Sequence, residues 1–184
     1  MQHRCIAGFV ALATLSCAVS AAQPASPYVG QDTREIKALS AEEISTYLEG
    51  KGGGLARAAE LNGYAGPAHV LELAEPLART PAQRAQTEAL FASMESRAKA
   101  LGRALVEEER KLDQLFAGKT VTPARLNAVL GEIGALQAKL RAVHLEAHLA
   151  QVEILTPEQN ARYAGLRGYG AKGAHAGHGA RHRH

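Results

Sequence analysis

The chain has 184 residues, of which 46% are hydrophobic, with no tryptophan and a formal net charge of +3. The scarcity of aromatic residues predicts a thin core. The positive charge belongs to the C-terminal end, since residues 23–161 carry 15 basic and 18 acidic residues, whereas five basic residues and no acidic one lie from Arg162 onward. This mildly acidic main part argues against a folded nucleic-acid-binding surface.

The first 22 residues have the composition of a secretory signal peptide. A positively charged start is followed by an apolar run over residues 5–19 and a small-residue end. We expect residues 1–22 to be a cleaved signal peptide and the mature protein to lie in the periplasm. Cleavage removes both Cys5 and Cys17, which leaves no disulfide and no thiolate ligand or nucleophile. Lipidation at Cys17 is the less favoured alternative, because leucine is expected where Thr14 stands.

Residues 23–65 are predicted to form a leader with two short helices. Ser40 is placed to cap the first, with a glutamate three positions later as in a capping box. The second is predicted over residues 55–61. Gly66-Pro67 then predicts a new helix with proline in its first turn.

Two long helices are predicted in the second half of the chain. Three helix starts share a Thr-Pro pair, the first at Thr80 and the last at Thr156. Apolar residues between them recur every three or four positions, which predicts helices over about residues 81–116 and 123–154. The short break between these helices favours an antiparallel hairpin. We therefore predict an all-α fold over residues 66–168, a long antiparallel helical hairpin with short flanking helices, and a helical dimer because so slender a hairpin buries little surface.

The last segment, residues 169–184, is rich in glycine, histidine and arginine. This composition predicts disorder. Its glycine spacers leave no preformed ligand geometry, so we expect only weak metal chelation by its histidines. These are His175, His178, His182 and His184.

A candidate metal site lies on the second long helix. His144 and His148 are spaced i and i+4, which places them on one helix face about 6 Å apart, within reach of one ion. Glu146 stands one position too late for a metalloprotease motif. The hairpin brings Glu88 near His148, and the helix from Pro67 contributes His69. Imidazole and carboxylate ligands suit a divalent transition metal such as Zn, Ni, Co or Cu; the alternative is that these histidines only border an apolar stripe.

The start of the last predicted helix carries a recognisable motif. Leu155-Thr156-Pro157-Glu158-Gln159 has the Leu-Thr-x-x-Gln pattern of the Spy/CpxP family of small periplasmic stress proteins and metal sensors. An earlier segment resembles a second copy, with Arg79 in place of leucine. Together with the export signal, the hairpin and the His-rich end, these motifs make residues 66–168 similar to that family. The motif residues are Leu155, Thr156, Gln159, Thr80 and Gln83.

The resemblance implies two alternative functions. The first is an ATP-independent chaperone or stress adaptor with metal-binding capacity. It implies an apolar client-binding face, although the same residues would equally form a core; they are Leu90, Met94, Leu101, Leu105, Leu136 and Leu140. The second is a periplasmic heavy-metal sensor or metal-resistance accessory protein. It implies ligands from an early helix, the first long helix and the second, which here are His69, Glu88, His144 and His148.

The partners implied are a second copy of the chain and either unfolded envelope proteins or a membrane protein of stress or metal signalling. Export and the acidic main part argue against nucleic acid. We do not expect an enzyme, because the mature sequence has no cysteine, no Gly-rich phosphate loop after a strand and no Ser/His/Asp set on a rigid scaffold.

Overall fold

The computed structural model describes residues 26–169, and the regular secondary structure in that range is entirely α-helical. The all-α prediction is therefore confirmed. The predicted signal peptide, with Cys17, and the tail beyond Tyr169 lie outside the described residues. In chain order the helices are α1 (Ala41–Leu48), α2 (Arg57–Glu60), α3 (Pro67–Glu72), α4 (Pro81–Ala117), α5 (Pro123–Ile154) and α6 (Pro157–Leu166).

The helix starts follow the capping chemistry of the sequence. The side chains of Ser40, Thr80 and Thr156 each accept a hydrogen bond from the backbone amide three residues on, and the backbone N–H of each donates to the Glu or Gln side chain at that position, which completes a capping box. Thr122 caps α5 without the reciprocal bond. Because these bonds satisfy backbone N–H groups that have no partner within the helix, they fix where each helix begins.

Helices α4 and α5 form the predicted antiparallel hairpin, joined by residues 118–122. Apolar side chains on the facing sides of the two helices pack against each other over most of the hairpin. The buried cluster between them consists of Met94, Ala98 and Leu105 from α4 and Ile133, Leu140, Val143 and Ala147 from α5. Close to the open end, the buried side chains of Thr87 and Gln151 meet at 3.3 Å between Oγ1 and Nε2.

The short helices pack across the hairpin, as predicted. Helix α1 crosses α4 at Gly102, where a Cβ atom would lie 2.0 Å from the carbonyl oxygen of Tyr47. Only glycine fits at that crossing. Helices α3 and α6 pack together near the open end of the hairpin, around a small core of Ala65, Val70, Leu77, Leu155 and Tyr163.

Within residues 26–169, no helix is both long enough and apolar enough to cross a membrane. The predicted dimer stays a prediction, because the structure contains one chain.

Candidate metal-binding cavity

A cavity of about 570 Å³ opens beside the hairpin, near its open end. The Gly-rich loop at residues 49–54 and the α2–α3 segment form one wall. Helix α4 contributes Phe91, Met94 and Glu95, and helix α5 contributes His144 and His148. The structure therefore brings together, around one space, three of the four predicted metal ligands: His69, His144 and His148.

The two histidines of α5 lie on its inward face, one turn apart, and are 4% and 8% exposed. His148 donates a hydrogen bond from Nδ1 to the carbonyl oxygen of Tyr64 at 2.8 Å. A carbonyl only accepts, so Nδ1 carries a proton, and Nε2 is the nitrogen whose lone pair a neutral ring would offer to an ion. This is the usual arrangement of a metal-ligating histidine, whose second nitrogen is held by a backbone carbonyl.

His144 is buried against the same cavity. Its Nε2 atom has no hydrogen-bond partner among the described residues, although it is inaccessible to solvent. Burial, and to a smaller extent the neighbouring His148, lowers the pKa of His144. The imidazole is therefore neutral near pH 7, which is the form that binds a metal ion.

The buried carboxylate of the cavity is Glu60, at the end of α2, which sequence analysis did not single out; Glu49 and Glu95 also line the cavity but are less buried. The side chain of Glu60 is 8% exposed. Tyr163 donates a hydrogen bond to Oε1 at 2.6 Å, and Arg167 donates from Nε to the same oxygen at 3.3 Å. The other oxygen, Oε2, has no hydrogen-bond partner in the described chain and lies 3.8 Å from Nδ1 of His148. Glu60 thus has one oxygen that accepts hydrogen bonds from Tyr163 and Arg167 and one oxygen that accepts none within the described chain.

His69, on α3, joins the same group of side chains. Its Nδ1 lies 3.3 Å from Oε1 of Glu60, and the guanidinium of Arg167 approaches its Nε2 at 3.5 Å. Arginine only donates, so Nε2 of His69 is the acceptor. Burial, and then the bond to Glu60, raises the pKa of Tyr163, which therefore remains a neutral hydroxyl donor.

Glu88, the carboxylate that the sequence predicted as a ligand, lies elsewhere. It is exposed on α4, one residue after the buried Thr87, and its Oε1 pairs with Nε of Arg84 at 2.8 Å. It does not line the cavity. The structure places Glu60, rather than Glu88, beside the three histidines.

The imidazole nitrogens and the carboxylate oxygens of this buried cavity suit a transition-metal ion, but the side chains that carry them are not arranged around a common ion position. Within residues 26–169, no three His, Asp or Glu side chains are arranged as a set that could hold an ion. The two unpartnered atoms, Nε2 of His144 and Oε2 of Glu60, are nevertheless buried polar atoms of the kind that normally find a partner. The residues fit a metal in chemistry and location, and the side chains of Glu60 and His69 are engaged by Arg167 instead.

The two Leu-Thr-x-x-Gln-like motifs connect the hairpin to this cavity. Gln83 and Gln159 complete the capping boxes of α4 and α6 and also bond to each other, with amide N–O distances of 2.8 and 3.1 Å. Each amide further donates to a backbone carbonyl near the other helix start, at Ile154 and Leu77. Because the start of α6 is anchored in this way, Tyr163 and Arg167, about one and two turns beyond Gln159, reach Glu60.

The six residues predicted to bind clients lie in the hairpin. Met94, Leu105 and Leu140 are buried in its core, and the others are partly buried against it; those others are Leu90, Leu101 and Leu136. Client binding by these side chains stays a prediction, and it would require the core of the described chain to open. The tail histidines, predicted to be weak chelators, lie outside the described residues; they are His175, His178, His182 and His184.

Comparison with known proteins gives one family. The sequence pattern of a family described as heavy-metal resistance matches residues 49–162, which include Glu60 and the three cavity histidines, the hairpin and the start of α6. Neither the curated proteins nor the solved structures contain a match. The matched segment spans more than half of the chain and includes the candidate site, so this protein belongs to the heavy-metal resistance family, the Spy/CpxP/ZraP-like family of helical proteins.

Proposed function

We propose that this protein binds a divalent transition metal in the cavity beside the hairpin and that this binding serves heavy-metal resistance or sensing. The observation that carries the proposal is a pair of buried atoms, Nε2 of His144 and Oε2 of Glu60, that line one cavity and have no hydrogen-bond partner within residues 26–169. His148 and His69 line the same space. Membership of the heavy-metal resistance family supports the same conclusion.

The proposed ligands are His69, His144, His148 and Glu60. Neutral imidazoles and one carboxylate favour Zn, Ni, Co or Cu over the harder ions Mg and Ca. A bound ion would supply positive charge to a buried carboxylate and a bond between helices that are far apart in sequence. The chain itself holds the imidazole of His148 in a fixed tautomer through Tyr64.

The setting of this activity is also part of the proposal. The signal-like N-terminus supports a periplasmic location, and the family supports a homodimer that communicates with a membrane protein of stress or metal signalling. Binding rather than catalysis is the proposed activity. The chaperone function rests on the family resemblance, since the apolar residues expected to hold clients pack in or against the hairpin core.

Calorimetric titration of Zn(II), Ni(II) and Cu(II) tests the proposal. The protein is the chain from residue 23 to 184 with the four tail histidines changed to asparagine, which removes the tail as a competing chelator. We expect one tight site per chain, weakened at least about tenfold in a His144→Ala/His148→Ala variant. An unchanged affinity in that folded double variant would refute the cavity as the metal site.

A matched pair of carboxylate variants separates the structural assignment from the sequence-based one. Glu60→Gln keeps the size of the side chain but removes its charge, and we expect it to weaken metal binding. Glu88→Gln removes the same charge from a residue outside the cavity, and we expect it to leave binding unchanged. The reverse result would restore Glu88 as the ligand.

A further inference from the structure

Arg167, at the C-terminal end of α6, occupies two of the groups proposed to bind the metal. Its Nε donates to Oε1 of Glu60 at 3.3 Å, and its Nη2 lies 3.5 Å from Nε2 of His69. A guanidinium presents several donors in one rigid plane, which suits it to hold a carboxylate and an imidazole together. The positive charge beside the carboxylate is therefore supplied by the chain itself.

Contacts of α6 outside the proposed ligands hold Arg167 in position. Tyr163, one turn earlier on α6, is fully buried and donates to the same oxygen of Glu60. The amide pair of Gln83 and Gln159 fixes the start of the helix. The guanidinium also lies over the ring of Tyr169, 5.8 Å from its centroid.

A metal ion and this guanidinium would compete directly for His69 and would be two cations at the carboxylate of Glu60. An ion would need the lone pair on Nε2 of His69, and Arg167 directs one N–H group at that nitrogen and another at Glu60. Two cations bound to one buried carboxylate repel each other more strongly than they would in water, because the surrounding dielectric constant is low. Nε2 of His69 has a single lone pair, so it cannot bind an ion while it accepts a hydrogen bond from Arg167, and at this atom the two occupations exclude each other.

We propose that Arg167 is the internal counter-ion of the metal-free site and that metal binding displaces it, which releases the end of α6 from α2 and α3. This inference rests on the proposed function, because it concerns the regulation of the same cavity. It accounts for the absence of a preassembled ligand set within residues 26–169. It also gives the protein a way to convert metal occupancy into a change at the end of its last helix.

The first test compares two charge-removing variants on one helix. Arg167→Gln removes the competitor, whereas Arg162→Gln removes the same charge from an exposed position on α6. Zn(II) is titrated into the full mature chain carrying the tail asparagine substitutions. We expect Arg167→Gln to bind Zn(II) about tenfold more tightly than the parent, within the 5–150-fold range of coupled sites, and Arg162→Gln to match the parent.

The second test measures amide hydrogen exchange by mass spectrometry with and without Zn(II). Ligands usually slow exchange. Here we expect Zn(II) to accelerate it at the end of α6, over residues 164–169, in the parent and in Arg162→Gln, while residues around His144 are protected. In Arg167→Gln the end of α6 should exchange fast already, with no further change on Zn(II) addition.

The outcomes separate this inference from the proposed function. Tight Zn(II) binding with equal affinity in the parent and Arg167→Gln, and no acceleration in α6, would overturn the counter-ion role and leave the metal site standing. No binding in either protein would overturn both. Arg167→Lys keeps the charge without the planar guanidinium and is the control for a merely structural role. A structural role would lower the stability of both Arg167→Gln and Arg167→Lys without tightening Zn(II) binding.

Discussion

Gly66 provides a test of the cavity that changes none of the proposed ligands. It caps α3 in an extended conformation that alanine also adopts, with φ −91° and ψ 142°. A Cβ atom added there would lie 2.7 Å from Cε1 and 2.9 Å from Nε2 of His148, and 3.4 Å from Oε2 of Glu60. Contacts between such atoms settle at about 3.5–4.0 Å, so the imidazole must move by roughly 0.8–1.3 Å.

This displacement should weaken metal binding by about 10- to 100-fold, the range seen when the support of a metal ligand is lost. It should also destabilise the metal-free protein by about 1–3 kcal/mol through overpacking. Zn(II) calorimetry and urea denaturation measure the two effects on the chain with the tail substitutions.

Gly52→Ala is the matched control, because it adds a methyl group to the same cavity at an ordinary 3.6 Å from Nδ1 of His144. We expect it to bind Zn(II) like the parent. A folded Gly66→Ala protein with parental Zn(II) affinity would show that His148 does not bind the ion and would refute the reasoning.

Three further predictions concern the stability of the metal-free protein. Gly102→Ala should lower the free energy of unfolding, measured by urea denaturation, by about 1–3 kcal/mol or more, because its Cβ atom would lie 2.0 Å from backbone. Its control Gly131→Ala, whose Cβ atom would have no neighbour within 4 Å, should raise that free energy by about 0.5–1 kcal/mol. Gln159→Ala should cost about 1–3 kcal/mol in the same assay, because it leaves partly buried partners at the starts of α4 and α6 unpaired. Acidification should destabilise the protein, because burial lowers the pKa of His144 in the folded state. Below the ordinary pKa of 6.5, the unfolded chain therefore binds more protons than the folded chain. The stability that is present above that pH is lost as the pH falls through it. Thermal melts across that pH range should show the loss, and His144→Gln should reduce it.

Each of these has a result that would contradict it. Equal stability of the two glycine variants would mean that α1 does not cross α4 at Gly102. A Gln159→Ala protein as stable as the parent would mean that the amide pair is replaced by water at no cost. A pH dependence unchanged by His144→Gln would assign it to another group.

Much of the fold was predictable from local chemistry. The boundaries of α4, α5 and α6 follow from a threonine cap, a proline in the first turn and the three- and four-residue recurrence of apolar side chains. These signals act within a few residues, so no tertiary information is needed to apply them. The i,i+4 spacing placed His144 and His148 on one face for the same reason.

The sequence alone therefore determined the helices, the hairpin and one pair of histidines, whereas the tertiary structure decided which carboxylate accompanies them. The predicted hairpin brought Glu88 near His148, but Glu88 follows the buried Thr87 and so faces outward, toward Arg84. Glu60 sits on a four-residue helix with no periodicity to indicate which way it faces. Its position depends on Tyr163, 103 residues away in the chain, and on Arg167. Contacts between residues so distant in sequence arise only when the whole chain packs, because no local pattern encodes them.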